Sequence, residues 1–238
     1  MNFSVILTTY NRPNMLEKAI LSVLNQTNQN FELLLMDDNS DDKKQIDILN
    51  KYKNHEKVVF FKSDVTPQER RKKVRYSVLI NEALKIATGE LVSYICDDDY
   101  FELNKLERMK KWFETNPDKH VLMGNQRCVL LEGAKEVDMP TPIRTQPSQR
   151  QDPNCNVDHS SVAHRMSVIE KAGEWIIDPN YWGSADGEFF DKCIAQGFTF
   201  YGLGGNYTDT HVYHDGSWTK DAQHQYLGTE REKDVKQA

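Results

Sequence analysis

Phe31-Glu-Leu-Leu-Leu-Met-Asp-Asp-Asn-Ser40 is a nearly continuous apolar run that stops abruptly on two aspartates. A strand with one wet face alternates; a run apolar at almost every position is a strand buried on both faces, which is the habit of a parallel sheet covered by helices. The flanks agree. Phe3 to Leu7 is a short β-prone run, and Pro13 to Thr27 then sets Leu16, Ile20, Val23 and Leu24 on one helical face, with Asn11 or Asn14 as cap and Pro13 near the first turn. Val58 to Phe61 predicts a third strand, Val74 to Ala87 a helix stopped near Gly89, and Leu91 to Ile95 a fourth strand that runs into Cys96-Asp97-Asp98-Asp99. The first hundred residues thus alternate β, α, β, β, α, β.

Both carboxylate clusters follow buried strands. In an open α/β sheet ligands bind outside the carboxyl ends of the strands, so Asp37, Asp38 and Asp97 to Asp99 are expected to converge on one crevice despite their separation in sequence. Leu103 to Phe113 reads as a further amphipathic helix. From Gly133 to Asn156 the chain turns polar and holds four of its eight prolines, which predicts a long loop. Val157 to Val168 and Phe198 to Leu203 restore β character around the acidic, aromatic stretch Trp182 to Phe190, and the charged tail after Trp218 reads as a surface helix or frayed end.

The 238 residues are 38% hydrophobic and 28% charged, enough apolar side chain for a sizeable core, which excludes disorder, collagen and membrane spanning. We expect a single domain, 1–238. A net charge of −6 repels a phosphate polymer, so nucleic acid is not the expected partner and phosphate must be met by local clusters. Cys96, Cys128, Cys155 and Cys193 show no C-x-x-C spacing and suit a reducing cytoplasm. The start lacks a basic, apolar leader, and no run approaches the roughly 20 residues of a membrane helix, leaving peripheral membrane association open.

Three adjacent carboxylates repel one another unless a cation or donors offset them; Mg²⁺ or Mn²⁺ is the natural counter-ion, binding one or two carboxylates and completing its shell with water and phosphate oxygens. The alternative is a solvated acidic turn that caps the next helix. Asp38 suits a hydrogen bond to a nucleobase or ribose, or else serves a turn whose cap is Asn39 or Ser40. Thr8-Thr9-Tyr10 ends the first strand at the same edge, as base-pocket lining or turn chemistry. Glu69-Arg-Arg-Lys-Lys-Val-Arg75 is the only dense basic run, and Arg70 or Arg75 would meet a diphosphate while the rest forms a solvated helix face. Asp186 is either a general base or a helix cap. His211 or His214 is a candidate metal or phosphate contact, weighed against a structural role.

Taken in order, Val5-Ile-Leu-Thr-Thr-Tyr-Asn-Arg12, Ser22-Val-Leu-Asn-Gln-Thr27, Phe31 to Ser40 and Gly89-Glu-Leu-Val-Ser-Tyr-Ile-Cys-Asp-Asp-Asp99 resemble the family 2 inverting glycosyltransferases of GT-A fold. Val74 to Asn81, Val157 to Arg165 and the Asp186 region resemble most the spore-coat polysaccharide glycosyltransferase type. The resemblance implies a GT-A fold with a mostly parallel central sheet flanked by helices, a nucleotide-sugar-binding half (1–130), an acceptor-binding half (131–220) and a charged tail (221–238). It implies that Thr8, Tyr10, Asp38 and Arg70 surround a pyrimidine base or its phosphates, that Asp97 serves the ribose, that Asp98 holds Mn²⁺ or Mg²⁺ and that Asp186 is the base. The donor would be a UDP- or dTDP-sugar and the acceptor a hydroxyl of a saccharide or glycoconjugate, as in polysaccharide biosynthesis.

Cys96 departs from the family's D-x-D pattern, since a thiol does not replace a carboxylate toward a hard cation. The Q/R-x-x-R-W motif of processive members is absent, implying one sugar per encounter. The alternatives are a catalytically silent nucleotide-sugar binder, motivated by Cys96, and a sugar-1-phosphate nucleotidyltransferase, whose Gly-rich basic N-terminal loop this chain lacks.

Overall fold

The computed structural model describes residues 1–139 and 157–214. The expected strands and helices of the first hundred residues form: β1 (Phe3–Thr9), α1 (Pro13–Leu24), β2 (Phe31–Asp37), β3 (Val58–Lys62), α4 (Arg75–Ile86) and β4 (Leu91–Cys96). Two helices join them, α2 (Lys43–Tyr52) and the short α3 (Pro67–Arg70). After them come β5 (Tyr100–Phe101), α5 (Lys105–Thr115), β6 (Val121–Glu132), β7 (Lys135–Asp138), β8 (Val162–Arg165), α6 (Ser167–Ala172), α7 (Ala185–Ala195) and β9 (Phe200–Tyr213).

One sheet holds every strand, in the order β3-β2-β1-β4-β8-β6-β9-β5, with β7 paired to β6. The β3-β2-β1-β4 half is wholly parallel, while β8 runs antiparallel to both β4 and β6 and β9 returns parallel to β6. Strict alternation within buried strands divides the core. Val5, Leu7, Leu33 and Leu35 face one layer with Leu16, Ile20 and Leu49 of α1 and α2 and Leu106 and Phe113 of α5. Ile6, Leu34, Met36 and Tyr94 face the other, with Leu79 and Ile80 of α4 and Phe189 and Phe190 of α7. That is the two-sided burial the Phe31 to Met36 run predicts. At roughly 25 cal/mol per Å² of apolar area withdrawn from water, burying one such leucine is worth about 2 kcal/mol, and this repeated term holds the sheet between its helices.

The chain leaves β1 toward β2 and β3, then crosses back to place β4 on the other side of β1. That reversal is the topological switch point, where the crevice of such sheets opens. Gly89 admits β4 to its place: a Cβ there would lie 2.4 Å from the Ser4 backbone nitrogen.

Several local readings need correction. Neither Asn11 nor Asn14 caps α1; the cap position is Arg12, without a side-chain cap, while Asn11 takes φ 48°. Asp42, rather than Asn39 or Ser40, caps the following helix by accepting from the Gln45 backbone at 2.9 Å. The polar stretch opens with the hairpin between β6 and β7, turned at Gly133 (φ 64°), rather than with loop. Val157 to Val168 carries only the short β8 before α6 begins, and the Phe198 to Leu203 strand extends to Tyr213. Residues 140–156 and the tail after 214 lie outside the described residues. No helix among the described residues is long and apolar enough to cross a membrane, and Cys96 and Cys193 are free thiols.

Candidate active site

The carboxyl ends of β2, β1 and β4 lie side by side: Thr9 is in register with Asp37, and Thr8 with Cys96. Neighbouring strands sit about 4.8 Å apart, so residues at these three ends share one edge within about 10 Å. Asp38 follows β2 and is 2% exposed. Its carboxylate is gripped by Arg70 Nη1 and by Arg75, whose Nη2 lies 2.6 Å and Nε 3.1 Å away; Ser63 Oγ donates at 3.0 Å. Both oxygens are therefore engaged, and Arg70 also donates to the Asp38 carbonyl at 2.6 Å. The basic run thus contributes two arginines, Arg70 from α3 and Arg75 from the start of α4. The guanidinium of Arg70 lies 3.5 Å over the ring of Tyr10, a half-exposed aromatic beside the site.

Across the switch point, Asp97 accepts from Thr9 Oγ1 at 2.7 Å, the Tyr10 backbone at 3.2 Å and Arg12 Nη1 at 3.1 Å. Asp98 accepts from the same Arg12 nitrogen at 2.6 Å and lies 3.1 Å from His214 Nε2. Burial pushes the Asp97 carboxyl up, outweighing Arg12. Burial acts on Asp98 in the same sense, but the His214 hydrogen bond and Arg12 overcome it and hold that carboxyl below the usual range. Asp99 turns inward, accepting from Ser160 Oγ at 2.8 Å and from the Val212 backbone at 3.2 Å, with His211 Nδ1 at 2.9 Å. Thr8 is buried at the end of β1, and it is the next residue, Thr9, whose hydroxyl reaches the acidic cluster.

Asp186 lies in the first turn of α7, after Ser184 at the cap position, so it is not the cap. Its Oδ1 accepts from the Gly187 backbone at 2.9 Å, and Oδ2 lies 3.7 Å from His159 Nδ1. The other nitrogen of that imidazole is 3.2 Å from Cys96 Sγ. Burial opposes a charge on His159, but Asp186 and Asp158 outweigh it and push its pKa up to about 9. The ring stacks on Tyr76 of α4, centroids 5.8 Å apart. The first turn of α7 is thereby linked through His159 to Cys96 at the end of β4, the strand that Asp97 to Asp99 follow.

The ligand atoms of Cys96, Asp98 and Asp99 lie within 4.8 Å of one another, and the buried Asp98 carboxylate is the hard oxygen donor a divalent cation would use there. Cys96 is the poor member. Burial and the flanking aspartates push its thiol well above the ordinary range, so it stays protonated and offers a hard cation little. Residue patterns placed Thr9 at the site edge without its tie to Asp97, and missed the parts of Arg12 and His159.

The mixed α/β architecture is the GT-A fold. The chain belongs to glycosyl transferase family 2, whose family model matches residues 4–171. Protein CgeD of Bacillus subtilis is 33% identical over 194 residues, 79% of this chain and 45% of that protein. The poly(ribitol-phosphate) beta-glucosyltransferase of Bacillus spizizenii is 31% identical over 122 residues, 49% of this chain but only 18% of its own length. The chain thus spans less than half of either relative. Among solved structures, S. aureus TarS 1–349 in complex with UDP-GlcNAc superposes with a TM-score of 0.67 at 18% identity, covering 90% of this chain and 59% of that one, and shares the fold.

Proposed function

We propose that the protein transfers a glycosyl group from a UDP- or dTDP-sugar to the hydroxyl of a saccharide or glycoconjugate, with inversion, in polysaccharide-type biosynthesis in the cytoplasm. The observation that carries this reading is the gathering of Asp38, the adjacent pair Asp97 and Asp98, and Asp186, from three separate stretches, along the carboxyl edge of β2, β1 and β4. Family membership supports it, as do the relative that is a glucosyltransferase and the neighbour captured with UDP-GlcNAc.

In this reading Tyr10, Arg70 and Thr8 surround the base, and Asp38 fixes Arg70 and Arg75 toward base or phosphate. Asp97 takes a ribose hydroxyl. Asp98, with His214, holds Mn²⁺ or Mg²⁺, which when bound neutralises charge on the diphosphate. Asp186 accepts the proton of the acceptor hydroxyl as its oxygen bonds to the anomeric carbon; the bond from that carbon to the diphosphate oxygen breaks, and the nucleoside diphosphate leaves with the electron pair. Residues 1–130 serve the donor and 131–220 the acceptor.

The test is a panel of UDP-, dTDP- and GDP-sugars with Mn²⁺ or Mg²⁺, read by thermal shift and then by release of nucleoside diphosphate. Stabilisation and turnover with a uridine or thymidine donor support the reading. Stabilisation without turnover for every donor, with saccharide acceptors present, points to a silent binder.

A further inference from the structure

The metal reading places a divalent ion at Asp98, yet a cation already stands there. Arg12 Nη1 bridges Asp98 Oδ2 at 2.6 Å and Asp97 Oδ1 at 3.1 Å. Three features make this bridge more than a surface ion pair. The carboxylates are nearly closed off, with side-chain exposures of 5% and 11%, whereas the arginine side chain that reaches them is 42% exposed. Only one terminal nitrogen of the guanidinium is used, and among the described residues its other nitrogens make no hydrogen bond, so a donor pair remains for a second anion. The backbone beneath is fixed: Asn11, at φ 48°, is pinned by its side chain to the Asp41 carboxylate at 2.7 Å and to the backbones of Asp41 and Asp42 at 3.1 and 3.0 Å. Motion is left to the side chain.

We propose that Arg12 is a phosphate-binding residue held in reserve on the carboxylates of the metal site. Without the ion its guanidinium neutralises Asp97 and Asp98. Were Asp98 to hold a divalent cation, repulsion from the added charge would weaken the hold of Arg12 on that carboxylate and free the guanidinium to swing away. The diphosphate that arrives with the ion is the nearest anion, and its oxygens suit the planar fork of donors better than they suit an ammonium. The ion and Arg12 thus compete for Asp98 in the empty site and cooperate once nucleotide is bound.

The inference rests on the reading of Asp98 as the metal-holding residue. The test uses the whole chain, with Mn²⁺ alone and then UDP with Mn²⁺ as probes, followed by Mn²⁺ electron paramagnetic resonance and calorimetry. Arg12→Gln should bind Mn²⁺ alone about tenfold more tightly than the wild type and UDP in the presence of Mn²⁺ about tenfold more weakly, a coupling of ordinary size for linked sites. Arg12→Lys, which keeps the charge without the fork, should fall between on both measures and guards against a folding defect in the glutamine variant. Equal Mn²⁺ affinity in wild type and Arg12→Gln, or both affinities weakened together, overturns the inference and leaves the metal reading standing. Absence of Mn²⁺ binding from both proteins, with UDP present or not, overturns the metal reading and this inference with it.

Discussion

Thr9 and Asp97 lie 88 positions apart in the chain and share a 2.7 Å hydrogen bond, the hydroxyl donating to the carboxylate across the point where the sheet reverses direction. The same hydroxyl accepts from the buried amide of Gln45 at 2.6 Å, so α2, β1 and the end of β4 are joined through one oxygen. The crevice is therefore tied by side chains as well as by strand pairing, and the group that would meet a ribose is oriented before any ligand arrives.

Asp186→Asn should lower the turnover number by about 10² to 10⁴, the usual worth of a positioned general base, while UDP affinity measured by calorimetry stays within about twofold. Lost UDP binding in a folded variant would move Asp186 from the acceptor side to the donor side.

Asp38→Ala leaves Arg70 and Arg75, side chains only 17% and 12% exposed, without their shared carboxylate. Removing one partner from such a cluster costs about 3–5 kcal/mol, which urea unfolding will register. Arg70→Ala should be milder in stability, since Arg75 still holds Asp38, and should weaken UDP binding.

Lys105 is a buried ammonium, 3.1 Å from Asp209, with Ser160's carbonyl as a further acceptor and the ring of Phe101 3.8 Å below. Burial pulls the lysine down and pushes Asp209 up, so the pair is held at a cost in desolvation. Lys105→Met should destabilise by about 3–5 kcal/mol, and adding Asp209→Leu should recover part of the loss. Additive losses in the double variant would contradict the pairing.

His164 is buried, 2.6 Å from the Tyr94 hydroxyl, and burial depresses its pKa to about 4. The unfolded chain, with an ordinary histidine near 6.5, binds this proton more readily, so stability is complete above that pH and declines as pH falls from there toward 4, by about 3 kcal/mol in all. His164→Phe should flatten that part of the profile in urea titrations across pH; an unchanged slope would assign the acid sensitivity to other groups.

The parallel half of the sheet was legible because Phe31 to Met36 and Leu91 to Ile95 are short, nearly unbroken apolar runs of strand length that end on polar clusters, the habit of doubly buried strands. Lys43–Tyr52 was not. Its apolar face is only Ile48, Leu49 and Tyr52, and it buries the polar Gln45 for a hydrogen bond, which periodicity scores as noise. β6 escaped for a related reason. Gly124-Asn-Gln-Arg127 breaks its apolar character where it pairs through a bulge with β9, and Gly124 is required because a Cβ would lie 1.9 Å from Thr208 Oγ1. At the site, the aspartates could be read from their places after strands. Their partners could not: which of Thr8 and Thr9 faces the cluster depends on register by a single residue, and the approach of His159 to Asp186 depends on how β8 docks against β4.

The most direct test of a metal-gripped diphosphate at the switch point is the calorimetric affinity for UDP in Mn²⁺ and in EDTA, for the wild type and for Asp98→Asn. The account predicts tight binding in Mn²⁺ that weakens at least about tenfold on chelation in the wild type, and weak, chelator-insensitive binding in the variant. Equal affinity in all four conditions would contradict it.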